Sequence, residues 1–466
     1  MGPNRYAWKI GVFASLGGLL FGYDWVVIAG AKPLLGAYFG ISGPGQAWVS
    51  GWVISSAILG CLGGATASVF LADWIGRKPT LQISASLFLV SAIASAAADS
   101  ISFLVISRIA GGFAIGLASC TSPLYISEIA PKVIRGKLVA TYQLAIVAGI
   151  LLAQVINLVI FQWSPLPDSV TVADIAQSWS GQFGWRWMLG AESIPATCFV
   201  ALSCFIPESP RWLVRRQQME PALTTLRRIE GDNAERIIKE IEQRTQQHVA
   251  SDTVSVGRSL IVRRDYRRLL LIGIVLAVFQ QWCGINVIFN FADEILSQAG
   301  FPLSDVMFGI VLTGVVNLTF TVVALQAIDR WGRRPMMLLG AIGLFACFAC
   351  LGASLQFDLP GPLTVICLLA AISIYAMTLA PVTWVLLSEL YPVSARGTMM
   401  SISVSALWLA CFVLTITFKP FIAGMGAATT FWLYSLICFV GALFVYVQVP
   451  ETRGKSLEHI EAELVD

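Results

Sequence analysis

Apolar runs close to the length of a bilayer crossing alternate along the 466 residues with short charged links. A spanning helix needs about 20 mostly apolar residues. Twelve segments reach that length, at about 9–31, 47–71, 80–98, 102–124, 138–161, 187–206, 268–292, 306–328, 336–356, 362–387, 398–418 and 428–448. The links alternate in charge. One set carries Arg77-Lys78, Lys132, Arg135, Lys137, Arg333-Arg334 and Arg396, and the long stretch 207–267 adds Arg211, Arg215, Arg216, Arg227 and Arg228. The other set holds Asp168 and Asp174 before Arg186, then Asp293, Glu294 and Asp305. Cations collect on the cytoplasmic side of membrane proteins. The pattern therefore predicts an all-α polytopic protein with both ends and 207–267 in the cytoplasm. Residues 220–246 mix charges over helix-forming residues and are expected to make short amphipathic helices beneath the membrane. The expected divisions are a six-span bundle at 1–206, a linker at 207–267, a second six-span bundle at 268–449 and a cytoplasmic tail at 450–466. The first apolar run follows Arg5 and Lys9, contains Asp24 and lacks a small-residue cleavage pattern, so it reads as a retained span.

Composition supports the membrane reading. Apolar residues make up 57% and charged residues 12%, against about 25% charged in an ordinary soluble domain. So little charge could not cover a water-facing surface, whereas lipid requires none. A net charge of +3 gives no reason to expect a nucleic-acid partner. The ten cysteines all fall in apolar stretches. Cys347 and Cys350 form a CxxC, but mid-helix and with no second pair to complete a metal or redox site. His248 and His459 lie outside the spans, which excludes a histidine proton relay. The spans hold no nucleophile–base pair or ligand cluster, so neither an enzyme nor a cofactor is expected.

The chain repeats itself. LADWIGRKP (71–79) matches AIDRWGRRP (327–335) at an offset of 256, and SEIAPKVIRGK (127–137) matches SELYPVSARGT (388–398) at 261. PESPRWL at 207 and PETRGKSL at 450 form a weaker pair. A duplicated six-helix unit explains these matches, and such repeats with a site between them are a transporter architecture. The repeats place charges at cytoplasmic helix ends: Asp73, Arg77, Glu128, Arg135, Glu208 and Arg211 in the first half, and Asp329, Arg333, Glu389, Arg396 and Glu451 in the second. They could merely stop helices at the interface. They could also pair across neighbouring helix ends as a network that holds the cytoplasmic side shut and breaks on opening.

The same strings carry a family resemblance. With GGLLFGYD (17–24), RIAGGFAIGLAS (108–119), QQWCGIN (280–286), GVVNLTFTV (314–322) and WVLLSELYP (384–392), they span nearly the whole chain in order. Together they resemble the sugar porters of the major facilitator superfamily, and among them bacterial sugar–proton symporters of the kind that carry xylose. The resemblance implies twelve helices, alternating access, a central site for a monosaccharide or polyol, and protons as the coupled ion. A monomer in the cell membrane is expected.

Asp24 and Arg108 lie inside spans, where a lone charge costs about 3 kcal/mol on insertion scales. They are expected to pair, either permanently or as a switch that protonation of Asp24 opens. Burial and a nearby guanidinium act on an aspartate in opposite directions. In the resembling symporters the matching aspartate carries the proton, whereas many facilitative relatives have a neutral residue there. Glu192 is a second, weaker candidate.

Sugar hydroxyls need groups that donate and accept without net charge, which amides supply. Candidates are Gln143, Gln280, Gln281, Asn286 and Asn317, with Phe21, Trp384 and Trp408 for the ring faces. On an ideal helix Gln280 and Asn286 diverge by roughly 120°, and a break at Gly284 could turn both to one cavity. The sequence departs from the family at several points. Leu407 and Cys411 replace residues that are often polar, Ile150 replaces a common Gln, Trp25 replaces Thr, and Asn290-Phe291 replaces the Tyr-Tyr of the outer gate. The cavity is therefore expected to be less polar and differently shaped. A proton-independent facilitator and a transporter-like sugar sensor stand as alternatives.

Overall fold

The structure, a computed structural model, describes residues 3–131, 134–166, 171–249, 264–391 and 396–453, without the side chains of a few of them, Asp329 and Arg396 included. Among the described residues all regular structure is helical. Eleven segments are long and apolar enough to cross a membrane: Arg5–Phe39, Ala47–Trp74, Arg77–Ala96, Ile101–Ile129, Arg135–Trp163, Tyr266–Gln298, Leu303–Ile328, Arg333–Gln356, Gly361–Leu387, Thr398–Met425 and Ala427–Gln448. The expected sixth crossing is also there, as two shorter helices, Trp185–Gly190 and Ser193–Ser203, separated at Ala191-Glu192. Counted in chain order these are the first to twelfth spans.

Two other spans are broken where the backbone demands it. The seventh consists of Arg264–Trp282 and Ile285–Gln298. Between them Gly284 has φ +87°, a left-handed value that favours glycine. The tenth consists of Gly361–Met377 and Leu379–Leu390, joined at Thr378. Pro381 sits in the first turn of the second piece, where its missing N–H removes no intrahelical donor. Both breaks lie mid-membrane, where non-helical backbone is tolerated only against protein or a cavity.

Apolar residues such as Val90, Ile106, Ile194, Ile366 and Leu436 are exposed on the outside of the bundle, as a lipid-facing surface requires. Between helices in lipid, close approach of small residues replaces the hydrophobic drive. The first and fifth spans show it reciprocally. A Cβ on Gly22 would lie 1.8 Å from the Ile146 carbonyl oxygen, and one on Gly149 would lie 2.0 Å from that of Leu19. In the first half the second and third spans pack on the fourth, and in the second half the seventh packs on the eleventh and the ninth on the twelfth. The halves meet where the second span touches the eleventh, the fifth touches the eighth, and the first touches the Ile285–Gln298 helix of the seventh, its outer helix if the cationic links face the cytoplasm.

The described part of the linker forms Pro210–Arg215, Met219–Glu230 and Ala234–Val249. Leu213, Val214 and Ala222 make a small core with Trp212, Met219, Ile238 and Ile241. Residues 250–263 of the expected linker and 454–466 of the expected tail lie outside the described residues.

The spans run further than hydropathy suggests. The first continues to Phe39 and the seventh to Gln298. Lys32, one residue beyond the expected end of the first span, and Asp293 and Glu294, expected in a link, are therefore helical. Their charges shorten the apolar run without ending the helix.

Candidate functional site

The two intramembrane charges meet. Arg108 of the fourth span donates from Nη1 to the Asp24 carboxylate and from Nη2, at 3.1 Å, to the Asp24 carbonyl oxygen. Asp24 is 1% exposed and Arg108 2%, so the pair is shielded from water. Asp24 Oδ2 and Arg108 Nε have no hydrogen-bond partner among the described residues. That oxygen lies against Gly111, where an added Cβ would stand 2.8 Å from it. Glu192, at the break in the sixth span, is buried within electrostatic range of both charges, and its Oε1 likewise has no described partner. A small cavity of about 10 Å³, room for about one water, is lined by Arg108, Trp25 and Asn290 together with Ile54, Ala57, Ile58 and Ile115.

On the second half the amides join end to end. Gln280 donates to the Tyr375 hydroxyl at 2.5 Å, Gln281 donates to Gln280 Oε1 at 2.5 Å, and Asn286 donates to Gln281 Oε1. Asn286 Nδ2 also lies 3.7 Å from Cys411 Sγ. The break at Gly284 makes this possible, because it turns Asn286 back toward Gln281 across the helix junction. Asn290 donates to the Asn286 carbonyl at 2.9 Å. Phe21, Trp25 and Trp408 form an aromatic cluster with centroids 5.9–6.1 Å apart. Trp25, an irregular residue by family pattern, is thus a member of that cluster.

Other candidates stand apart from this chain. Asn317 is buried and Gln143 half-buried, and the described hydrogen bonds leave both outside it. Trp384 is 39% exposed and outside the Phe21–Trp25–Trp408 cluster. Tyr375 and Cys411 enter the chain instead. The structure adds a polar link between the halves: Gln154 donates to Thr313 Oγ1 at 3.2 Å. It stands one turn from Ile150, where the family's amide is missing. Gln154 is an amide inside the fifth span, so the criterion that selected Gln143 could have found it, whereas no signal within the sequence distinguishes Tyr375 from ordinary span residues.

Asn290 and Phe291, at the end of the bundle away from the repeated loops, are both buried. Phe291 has non-helical angles, φ −133° and ψ +21°, and kinks the outer helix of the seventh span. Around this kink lies a charge cluster. Lys32 Nζ is 2.5 Å from Asp293 Oδ1, 3.1 Å from Glu294 Oε1 and 3.4 Å from the Asn290 carbonyl oxygen. It also stands 4.4 Å from the Phe291 ring centroid. Lys419 of the eleventh span pairs with Glu294 at 2.9 Å.

The charges expected on the cytoplasmic side are ordered by the repeat. Buried Arg77 donates to both Glu128 oxygens, at 3.0 and 2.9 Å, and to Asp73 at 2.9 Å. Glu208 accepts from the Arg77 and Lys78 backbone N–H groups, which caps the third span. Burial pushes the Glu208 carboxyl above its ordinary range, against the pull of these donors. In the second half Glu451 accepts from the N–H groups of Arg333 and Arg334, and Arg333 pairs with Glu389 at 3.2 Å. Gly76 and Gly332 precede the two caps with φ +105° and +90°. A Cβ there would stand 2.2 and 2.8 Å from the capping carboxylates. These residues explain why the loop strings repeat. Arg135 donates to the Ala130 carbonyl at 3.2 Å rather than to Glu128, and Arg211 is exposed in the linker. Asp329 and Arg396, expected in this network, have side chains outside the described residues.

The comparisons with known proteins agree with one another. A family model described as "Sugar (and other) transporter" matches residues 10–464. The chain is 35% identical over 488 residues to the D-xylose-proton symporter of Escherichia coli, covering 98% of this chain and 96% of that protein. It is 36% identical over 459 residues to the galactose-proton symporter of the same organism, covering 97% and 93%. Among solved structures, the inward-open conformation of the xylose transporter XylE from E. coli superposes with a TM-score of 0.83 at 34% identity, covering 98% of this chain and all of that one.

Proposed function

The chain belongs to the sugar transporter family, and on that premise we propose that it couples the movement of a monosaccharide or polyol to that of a proton by alternating access. One observation carries the coupling. Asp24 is buried against Arg108 with one carboxylate oxygen unpartnered among the described residues. Ionised, Asp24 holds the guanidinium. Protonated, it gives up the charge that holds Arg108, which is then free to pair elsewhere. Glu192 is the nearby acceptor or donor that such a rearrangement can use. A membrane potential of 100 mV contributes about 2.3 kcal/mol per charge. At about 1.4 kcal/mol per tenfold, one proton per sugar sustains roughly fortyfold accumulation.

The sugar is held by the chain Tyr375–Gln280–Gln281–Asn286 and by the aromatic faces of Phe21, Trp25 and Trp408. Gln143, Asn317 and Trp384 join it as the halves move. In the structure the amides satisfy one another, so a sugar hydroxyl exchanges one hydrogen bond for another and leaves none unmade. Asn290 and Phe291 form the outer gate. The cytoplasmic ion pairs hold the helix ends of each half as rigid units. The arrangement of cationic links places both ends of the chain in the cytoplasm, and one chain contains a complete site, so a monomer suffices.

Purified protein in proteoliposomes tests the coupling. With Asp24→Asn, accumulation driven by a pH gradient falls to the equilibrium ratio while sugar exchange continues. Accumulation equal to that of the unaltered protein would remove Asp24 from the coupling.

A further inference from the structure

The outer charge cluster links the two halves of the molecule, whereas the described cytoplasmic pairs each join elements of one half. Lys32 belongs to the first span. Every described contact of its ammonium is with the outer helix of the seventh span: two carboxylates, one backbone carbonyl and one ring face. Lys32 and Asp293 are each 5% exposed. Glu294 is steadied from its own half by Lys419, and Phe291 by Phe418, with ring centroids 4.5 Å apart. The four charges cancel while the halves touch. Separation of the halves on the outer side would break both carboxylate contacts of Lys32 at once and leave two neighbouring carboxylates sharing one lysine. Water entering the gap replaces only part of what these close, 5%-exposed charges gain from one another, so the contact biases the molecule toward an outer side that is shut. Neither Lys32 nor the acids belong to the strings that repeat between the halves.

We propose that Lys32, Asp293 and Glu294 form an outer ion lock between the halves that shuts the sugar path to the outside and sets how often it opens. The inference rests on alternating access but not on the identity of the sugar or on proton coupling. A native thiol reports on it. Cys411 is fully buried beside Asn286 at the centre of the amide chain, so a membrane-impermeant maleimide reaches it from outside only when the outer side opens.

The experiment measures Cys411 labelling by peptide mass spectrometry, without sugar, in right-side-out and inside-out vesicles. Lys32→Met and Asp293→Asn are expected to raise labelling from outside by about tenfold, equivalent to about 1.4 kcal/mol of bias, and to lower labelling from inside. The exchanged pair, Lys32→Asp with Asp293→Lys, restores protection from outside. Outside labelling unchanged in both single variants overturns the proposal. So does an exchanged pair that labels like Lys32→Met, or labelling that rises from both sides together, which is the signature of a loosened fold. Because no sugar or proton gradient is used, failure here leaves the symport reading to its own test.

Discussion

The inner and outer ends of the bundle both carry buried ion pairs, but they are built on different plans. At the inner end the same carboxylate–glycine–arginine arrangement occurs twice, once per half, as Glu208 with Gly76 and Arg77 and as Glu451 with Gly332 and Arg333. Each copy fastens helix ends within its half. At the outer end the cluster occurs once, and Lys32 ties one half to the other. Charges that rigidify a unit can be duplicated with it. Charges that join two units are contributed unequally, a cation by one and the acids by the other. A duplicated gene therefore cannot inherit such a contact ready-made.

The contrast can be broken by substitution. The largest effect is expected at Arg77. Replacing it with Ala leaves Glu128, whose side chain is 8% exposed, without its bidentate partner, and loss of one member of a buried pair costs about 3–5 kcal/mol. Thermal unfolding in lipid nanodiscs should show a large drop, whereas Lys32→Met should chiefly change access. A drop for Lys32→Met equal to that for Arg77→Ala would erase the distinction between fastening and gating. The next effect is at the glycines. Gly76→Ala and Gly332→Ala each force a side chain into positive-φ, extended-ψ backbone that essentially only glycine occupies, at about 1–3 kcal/mol. The closer carboxylate at Gly76, 2.2 against 2.8 Å, makes that variant the less stable of the two. The reverse order would show that the repeated caps are not equivalent in kind. The smallest effect is at Arg227, whose linker pair with Glu235 is 60% and 71% exposed. Arg227→Ala should shift stability by less than about 1 kcal/mol and leave the sidedness of Cys411 labelling unchanged.

Much of this was legible in the chain because it is local or periodic. Apolar length gave the spans, the short spacing of Asp73 and Arg77 kept them together across the turn between the second and third spans, and Gly284 marked the break in the seventh span. The sixth span's break had a signal in Pro195, which has no N–H to donate to the Ala191 carbonyl. The outer lock was hidden for two reasons. Its members are separated by more than half the chain, and their charges resemble those that end a span. Asp293 and Glu294 lower local hydropathy, so they read as a link, although the helix continues to Gln298. Tyr375 was hidden among apolar neighbours in a segment whose polar partner, Gln280, lies 95 residues away. The pairing of Asp24 with Arg108 was accessible because two lone charges in lipid have few other solutions.

The kink at Phe291 makes the end of the seventh span a short lever. From Phe291 to Gln298 the helix is about 12 Å long, at 1.5 Å per residue. A further bend of about 20°, at the threshold of a sharp kink, would swing its tip by about 4 Å but carry Asp293, close to the fulcrum, by only about 1 Å. Lys32 grips the lever near its pivot. The tip can therefore flutter without releasing the grip, and thermal motion of the outer end alone does not open a passage. Release needs the pivot itself to travel, through movement of the halves apart or a swing of the whole Ile285–Gln298 helix about the break at Gly284.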